Sequence, residues 1–262
     1  MMTYSRIVTL LFLCAFSAHA KDQSHPASAE GAKSPSGWEA LSSLQTGNMR
    51  FYEGRTLHPN QDPARRDLVA GGQHPHTIVV SCSDSRLPPE TVFDQGLGDV
   101  FTVRLAGNVM TTEAIASVEY AIEHLGAKLL LVMGHESCGA VGAAVASKPG
   151  ASNGSESLDV LVRHIRSALS PESVSSAATD KTFRQSVKEN VTASLRTLLQ
   201  RSEIVRNAAS KGNVILGQAI YSLKSGRVEF WDVGKVLDTS NPSEKVIIQD
   251  QKIEEQVISS DR

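Results

Sequence analysis

Cysteine is scarce in this chain, with three residues in 262, at positions 14, 82 and 138. That excludes a small domain stapled by a disulfide framework, which needs cysteine in dense, even numbers. Charge of one sign is lacking too: 26 basic residues face 28 acidic ones, for a formal net charge of -2. Lys and Arg are scattered and form no runs, so the electrostatic footprint of a nucleic-acid binder is missing and no nucleic-acid partner is expected. No internal repeat occurs, which excludes a solenoid and favours one domain. What remains is an ordinary globular balance, 40% hydrophobic and 21% charged, with length enough for a sizeable core.

The amino terminus has the pattern of an export signal. Arg6 supplies a positive start, Ile7 to Phe16 is an apolar run too short to span a bilayer, and Ala18-His19-Ala20 matches a small-residue cleavage site. A signal peptide is therefore expected over 1–20, with the cut after Ala20. The protein is expected to be periplasmic or secreted, with no stable membrane association after cleavage. Cys14 is preceded by Leu13, a poor fit to a lipidation site, and leaves with the signal. Residues 21–36 are rich in Ser, Ala, Gly and Lys and are expected to form a flexible linker. One domain is then expected over 37–238, followed by a loosely held polar tail over 239–262.

Within the domain, Leu41, Leu44, Met49 and Phe51 recur at helical intervals up to Gly54, and Asp67 to Ala70 adds a short turn. Thr77 to Cys82, Phe101 to Arg104 and Lys128 to Met133 are strand runs, the first and last nearly continuous in apolar residues as in buried parallel sheets. Helices are expected over Thr112 to Leu125, from Cys138 through Ala146, over Leu158 to Leu169, and as one long helix over Thr182 to Ser210. Ser170 to Asp180 is expected as a polar loop, and Val214 to Leu223 with Val228 to Trp231 as a strand pair turning at Ser225-Gly226. The fold class is α/β, a central mostly parallel sheet flanked by helices, with an amino-terminal helical arm.

Cys82 and the pair His135 and Cys138 each fall at the carboxyl end of a buried strand, where open α/β sheets bind ligands. Two thiolates and an imidazole suit one zinc ion per chain and leave a fourth tetrahedral position open for water. The competing reading is a disulfide, the default for two cysteines in an exported protein. A histidine three residues before Cys138, an Asp and an Arg directly after Cys82, and the strands leading into both sites favour the metal.

Cys82-Ser-Asp-Ser-Arg86, Leu87-Pro-Pro-Glu90, Phe93 to Asp99 and Gly134-His-Glu-Ser-Cys-Gly139 resemble the motifs of the β-class carbonic anhydrases. Trp38, Gly47-Asn48 and Phe51 to Gly54 resemble that family's first helix, and Arg104-Leu-Ala-Gly-Asn108 its segment after the second strand. The resemblance covers about Trp38 to Trp231. It implies a zinc lyase that interconverts carbon dioxide and bicarbonate, built as a homodimer or a multiple of dimers. Cys82, His135 and Cys138 would hold the metal. Asp84 and Arg86 would form a gate, in which the paired carboxylate orients the attacking water and the released one ligates zinc. Gln73 would be an amide donor to substrate, Phe101 and Tyr120 pocket walls, and the Gly139 amide a neighbour of the metal, several of them reaching the site from the adjacent subunit. For Phe101 and Tyr120, plain core packing stays equally open.

The regulatory bicarbonate site of some relatives matches at Arg104 and Tyr221, but Val79 stands where they have Trp. Two thiolates should offset much of the metal's charge, so activity is expected to rise into the alkaline range. The same scaffold could serve carbonyl sulfide or carbon disulfide, and a non-enzymatic zinc protein of the cell envelope is a third reading. Gln73, Asp84 and Arg86 together speak against the last, since mere storage needs none of them.

Overall fold

The computed structural model describes residues 34–148, 150–175, 180–237 and 246–248. The expected signal peptide, Cys14, most of the linker and most of the tail lie outside the described residues. Helix α1 (Gly37–Tyr52) starts at a capping box: the Glu39 amide donates to Ser36 Oγ at 3.2 Å, and the Ser36 amide donates to the Glu39 carboxylate at 2.6 Å. Helix α2 (Pro63–Val69) is longer than the expected turn, because Asp62 caps it and Pro63 occupies its first position, where a missing amide costs nothing.

The remaining elements follow in chain order. They are β1 (Thr77–Ser81), α3 (Pro89–Val92), β2 (Val100–Arg104), α4 (Thr112–Glu123), β3 (Leu129–His135), α5 (Gly139–Ala146), α6 (Glu156–Arg166), α7 (Pro171–Ser175), α8 (Asp180–Arg201), α9 (Glu203–Ser210), β4 (Ile215–Tyr221), β5 (Val228–Trp231), β6 (Lys235–Leu237) and β7 (Val246–Ile248). Five strands form one sheet in the order β2-β1-β3-β4-β5, parallel except for β5. This is the α/β architecture expected. Strands β1, β3 and β4 are buried along their whole length, which is why their sequences run apolar without alternation.

Helices cover both faces of the sheet. On one, Val79, Leu131 and Met133 pack with Leu44 of α1, Val141 and Ala144 of α5, and Ile165 of α6. On the other, Ile78, Val80, Leu130 and Val132 pack with Val118 of α4, Leu195 and Leu198 of α8, and Val205 of α9. No helix among the described residues is long and apolar enough to cross a membrane.

Three expectations change. The long helix over Thr182 to Ser210 is two helices, because Ser202 leaves the helical backbone, accepts from the Val205 amide and donates to Glu119. The loop over Ser170 to Asp180 contains α7, capped by Ser170 Oγ, and the start of α8. Inside the tail, β7 pairs antiparallel with β6. A Val-Ile-Ile triplet suits a strand, so that part of the tail is regular.

Gly134 sets the distance between α8 and β3. A Cβ there would stand 2.7 Å from Val187 Cγ1 and 2.8 Å from Val191 Cγ2. Gly134→Ala must push α8 off the strand that ends in His135, and is expected to destabilise the fold by about 1–3 kcal/mol in chemical denaturation.

Candidate metal centre

Cys82 directly follows β1, His135 is the last residue of β3, and Cys138 is the residue before α5. The sequence places His135 just past its strand; instead it stays in the ladder, paired with Tyr221 of β4. Ser137 then takes a left-handed φ of 55°, which folds the chain back over two residues and turns Cys138 toward His135. One ligand atom from each of the three residues lies within 4.8 Å of the others, and all three residues are buried. Both cysteines are free, so the disulfide reading is set aside.

The donor set fits a metal ion on the chemistry of one buried atom. His135 Nδ1 lies 2.9 Å from the Glu136 carbonyl oxygen, which only accepts, so Nδ1 carries the proton and Nε2 presents a bare lone pair. That Nε2 is fully buried with no hydrogen-bond partner, a condition that costs about 1–3 kcal/mol unless something occupies the lone pair. With two sulfur donors beside it, the occupant that fits is a borderline-soft divalent cation such as zinc.

The two thiols differ. The Cys138 thiol as a hydrogen-bond donor pulls the Cys82 pKa down against burial, with further help from the amides of Gly107 and Asp84. Cys138 moves up, through its bond to Cys82 and through burial, while the amides of Ala140 and Val141 at the start of α5 oppose the shift. Of the two thiols, Cys82 is therefore the one that gives up its proton more readily. The Gly107 amide donates to Cys82 Sγ at 3.2 Å.

Asp84 and Arg86 are joined at both carboxylate oxygens. Arg86 Nε donates to Oδ1 at 2.9 Å, Nη2 to Oδ2 at 2.8 Å, and the Arg86 amide to Oδ1 at 3.0 Å. Asp84 Oδ2 also lies 3.8 Å from His135 Nε2, so the carboxylate faces the ligand cluster while Arg86 reaches out to solvent. The bond from the Arg86 guanidinium, then the Arg86 amide and the Arg86 charge, outweigh burial and hold Asp84 well below the usual carboxylate range. A depressed folded pKa contributes stability above the unfolded value of about 4, and the contribution is lost as pH falls through the lower folded value. Asp84 thus stays charged at every pH where the protein would work.

A sequence model of the carbonic anhydrase family matches residues 77–228. The chain belongs to this family. The curated "Carbonic anhydrase 2" of Mycobacterium tuberculosis is 37% identical over 196 residues, covering 74% of this chain and 91% of that protein. Among solved structures, a β-carbonic anhydrase of Aspergillus fumigatus superposes with a TM-score of 0.57 at 28% identity, over 78% of this chain and 92% of that one. A β-carbonic anhydrase of Sordaria macrospora, described as tetrameric, shares the fold with a TM-score of 0.58 at 24% identity, over 74% and 95%.

In this β-carbonic anhydrase the expected residues do not all meet within one chain. Gly139 opens α5 beside Cys138, with open space where a Cβ would stand. Gln73, however, is exposed in the loop before β1, at the far end of the strand from Cys82. Phe101 pairs with Ile78, four residues and about 13 Å before Cys82 along the strand, and packs on the sheet face opposite the metal ligands. Tyr120 is 46% exposed on α4, its ring 6.5 Å from that of Phe101. Spacing alone does not distinguish a residue of this site from one that faces outward.

Other residues at the carbonic anhydrase centre escape a sequence reading. Arg104, known from the sequence only by its match to the regulatory position, donates to the carbonyls of Cys82 at 3.1 Å and Asp84 at 2.6 Å, and so braces the loop that carries Asp84 and Arg86. Val79, where that site would need Trp, is fully buried, and Tyr221 is buried beside His135. Glu136, whose carbonyl orients His135, is held by Arg184 of α8, which also reaches Glu229 at 2.5 Å. The left-handed Gly107-Asn108 pair was the available signal for a functional turn.

The purified protein is expected to bind one zinc per chain. His135→Ala is expected to lower zinc affinity at least about 100-fold, measured by competition with a chromogenic chelator.

Proposed function

We propose that this chain is an exported zinc enzyme that interconverts carbon dioxide and bicarbonate, and that two chains complete each other's sites. The observation that carries the catalytic reading is the Asp84–Arg86 pair facing the buried cluster of Cys82, His135 and Cys138. Those three residues would hold zinc, which supplies Lewis acidity and so acidifies a water for attack on carbon.

The chain's own residues do the rest. Cys82 and Cys138 offset the positive charge of the ion, which limits how far it acidifies water compared with neutral ligands. Asp84, kept charged by Arg86, accepts a hydrogen bond from the attacking water and aims its lone pair at substrate. So low a pKa makes Asp84 a poor store for the proton, which must pass on to solvent or buffer. Arg86 holds both carboxylate oxygens and so keeps Asp84 from filling the ligand position itself.

Asp84→Asn keeps the size of the side chain and removes its charge. It is expected to lower kcat/KM by about 10- to 100-fold with zinc content unchanged, measured by stopped-flow hydration of carbon dioxide. For the unaltered enzyme, activity is expected to climb through the alkaline range, since two thiolate ligands leave the attacking water harder to deprotonate; a profile flat from about pH 6 upward would reject this.

The placing of Gln73, Phe101 and Tyr120 away from their own metal supports the dimer. Among the described residues, strand β2, which carries Phe101, is an edge strand paired only with β1. In a dimer formed along this side, the three residues would line the neighbour's pocket, Gln73 as amide donor and the rings as apolar walls for a nearly apolar substrate. Phe101→Asp is expected to give monomers in analytical ultracentrifugation that keep zinc but lose most of their activity. Export is supported by the pattern over residues 1–20, and the mature protein is expected in the cell-envelope fraction with Lys21 at its amino terminus.

A further inference from the structure

The turn that donates to Cys82 is itself held from the opposite side by a buried amide. Gly107 and Asn108 both take left-handed backbone angles, φ 64° and 46°. A turn of that kind persists only where its surroundings fix it. One side is packed: a Cβ on Gly107 would stand 2.6 Å from Ile165 Cδ1 and 3.2 Å from Ala140 Cβ. The other side is bonded to α8. Asn190, 2% exposed, donates from Nδ2 to the Gly107 carbonyl at 2.7 Å, and Ser194 Oγ donates to the Asn108 carbonyl at 2.9 Å.

We infer that Asn190 is a positioning residue of the metal centre: by gripping the Gly107 carbonyl it aims the Gly107 amide at Cys82 Sγ and so sets the geometry and electron donation of that sulfur ligand. Asn190 acts through the turn. The peptide planes on either side of Gly107 share its two soft dihedrals, so fixing the carbonyl limits where the amide can point. An amide hydrogen bond to a ligating sulfur draws charge from it and orients it, and loss of such outer contacts typically weakens metal binding about 10- to 100-fold. An apolar side chain at 190 would leave a buried carbonyl unpaired and free the turn to rotate.

The inference rests on the metal-site reading, and zinc binding by the unaltered protein is the separate check of that reading. Asn190→Leu keeps the bulk and removes the donor. Thr192→Val is the control for general loosening of α8, since Thr192 bonds Gln218 in β4 and does not touch the turn. Zinc release to a chelator is expected to quicken about 10- to 100-fold in Asn190→Leu and to stay unchanged in Thr192→Val. In the cobalt-substituted proteins, the thiolate-to-metal charge-transfer bands are expected to shift in the first and not in the second.

Wild-type release and spectrum in a folded Asn190→Leu, or equal changes in both variants, overturn the inference. If Asn190→Leu does not fold, Asn190→Ser is scored by the same two readouts. The cadmium-113 form of the unaltered protein adds a measurement free of substitution. Its Gly107 amide proton is expected to show through-bond coupling to the metal and slow exchange, and absence of both overturns the inference as well.

Discussion

The parallel ladder between β1 and β3 sets Ser81 opposite Met133, and both strands run out into loops at the same edge of the sheet. Cys82 and His135, 53 positions apart in the chain, become neighbours through that pairing. A slip of one residue would turn every side chain on one strand to the other face, so the apolar packing on both faces of the sheet also holds the metal ligands in place. The third ligand comes at little further cost in chain length, through the left-handed Ser137 and the start of α5.

Around this ladder the centre is built in shells of decreasing burial. The three ligands are almost wholly buried, and the atoms that steer them are mostly backbone: the Glu136 carbonyl for His135, the Gly107 amide for Cys82, the carbonyls of Cys82 and Asp84 for Arg104. Asp84 and Arg86 reach toward solvent, with Arg86 the more exposed of the two. That gradient suits a site that must keep its ligands rigid while exchanging water, substrate and protons at one opening.

Much of this was legible from the residues. The continuous apolar strands, the ligands at their ends and the Asp84–Arg86 spacing all depend on local pattern, and the structure places them as the pattern implies. What was not legible depends on partners far off in sequence. The break at Ser202 needs Glu119, the cap of α7 needs Ser170, and the roles of Arg104 and Asn190 need the carbonyls they bond. Gln73, Phe101 and Tyr120 stand away from the metal ligands of their own chain, and a motif that records which residues occur together does not carry that distance.

Helix α8 touches the loop that carries His135 and Cys138, through Arg184 at Glu136, and the turn that donates to Cys82, through Asn190 at Gly107, yet it begins 42 residues after the last ligand, at Asp180 against Cys138. During synthesis the chain therefore displays its complete ligand set before it owns the brace that steadies it. A nascent or truncated chain ending before α8 would carry every metal donor and neither of these supports.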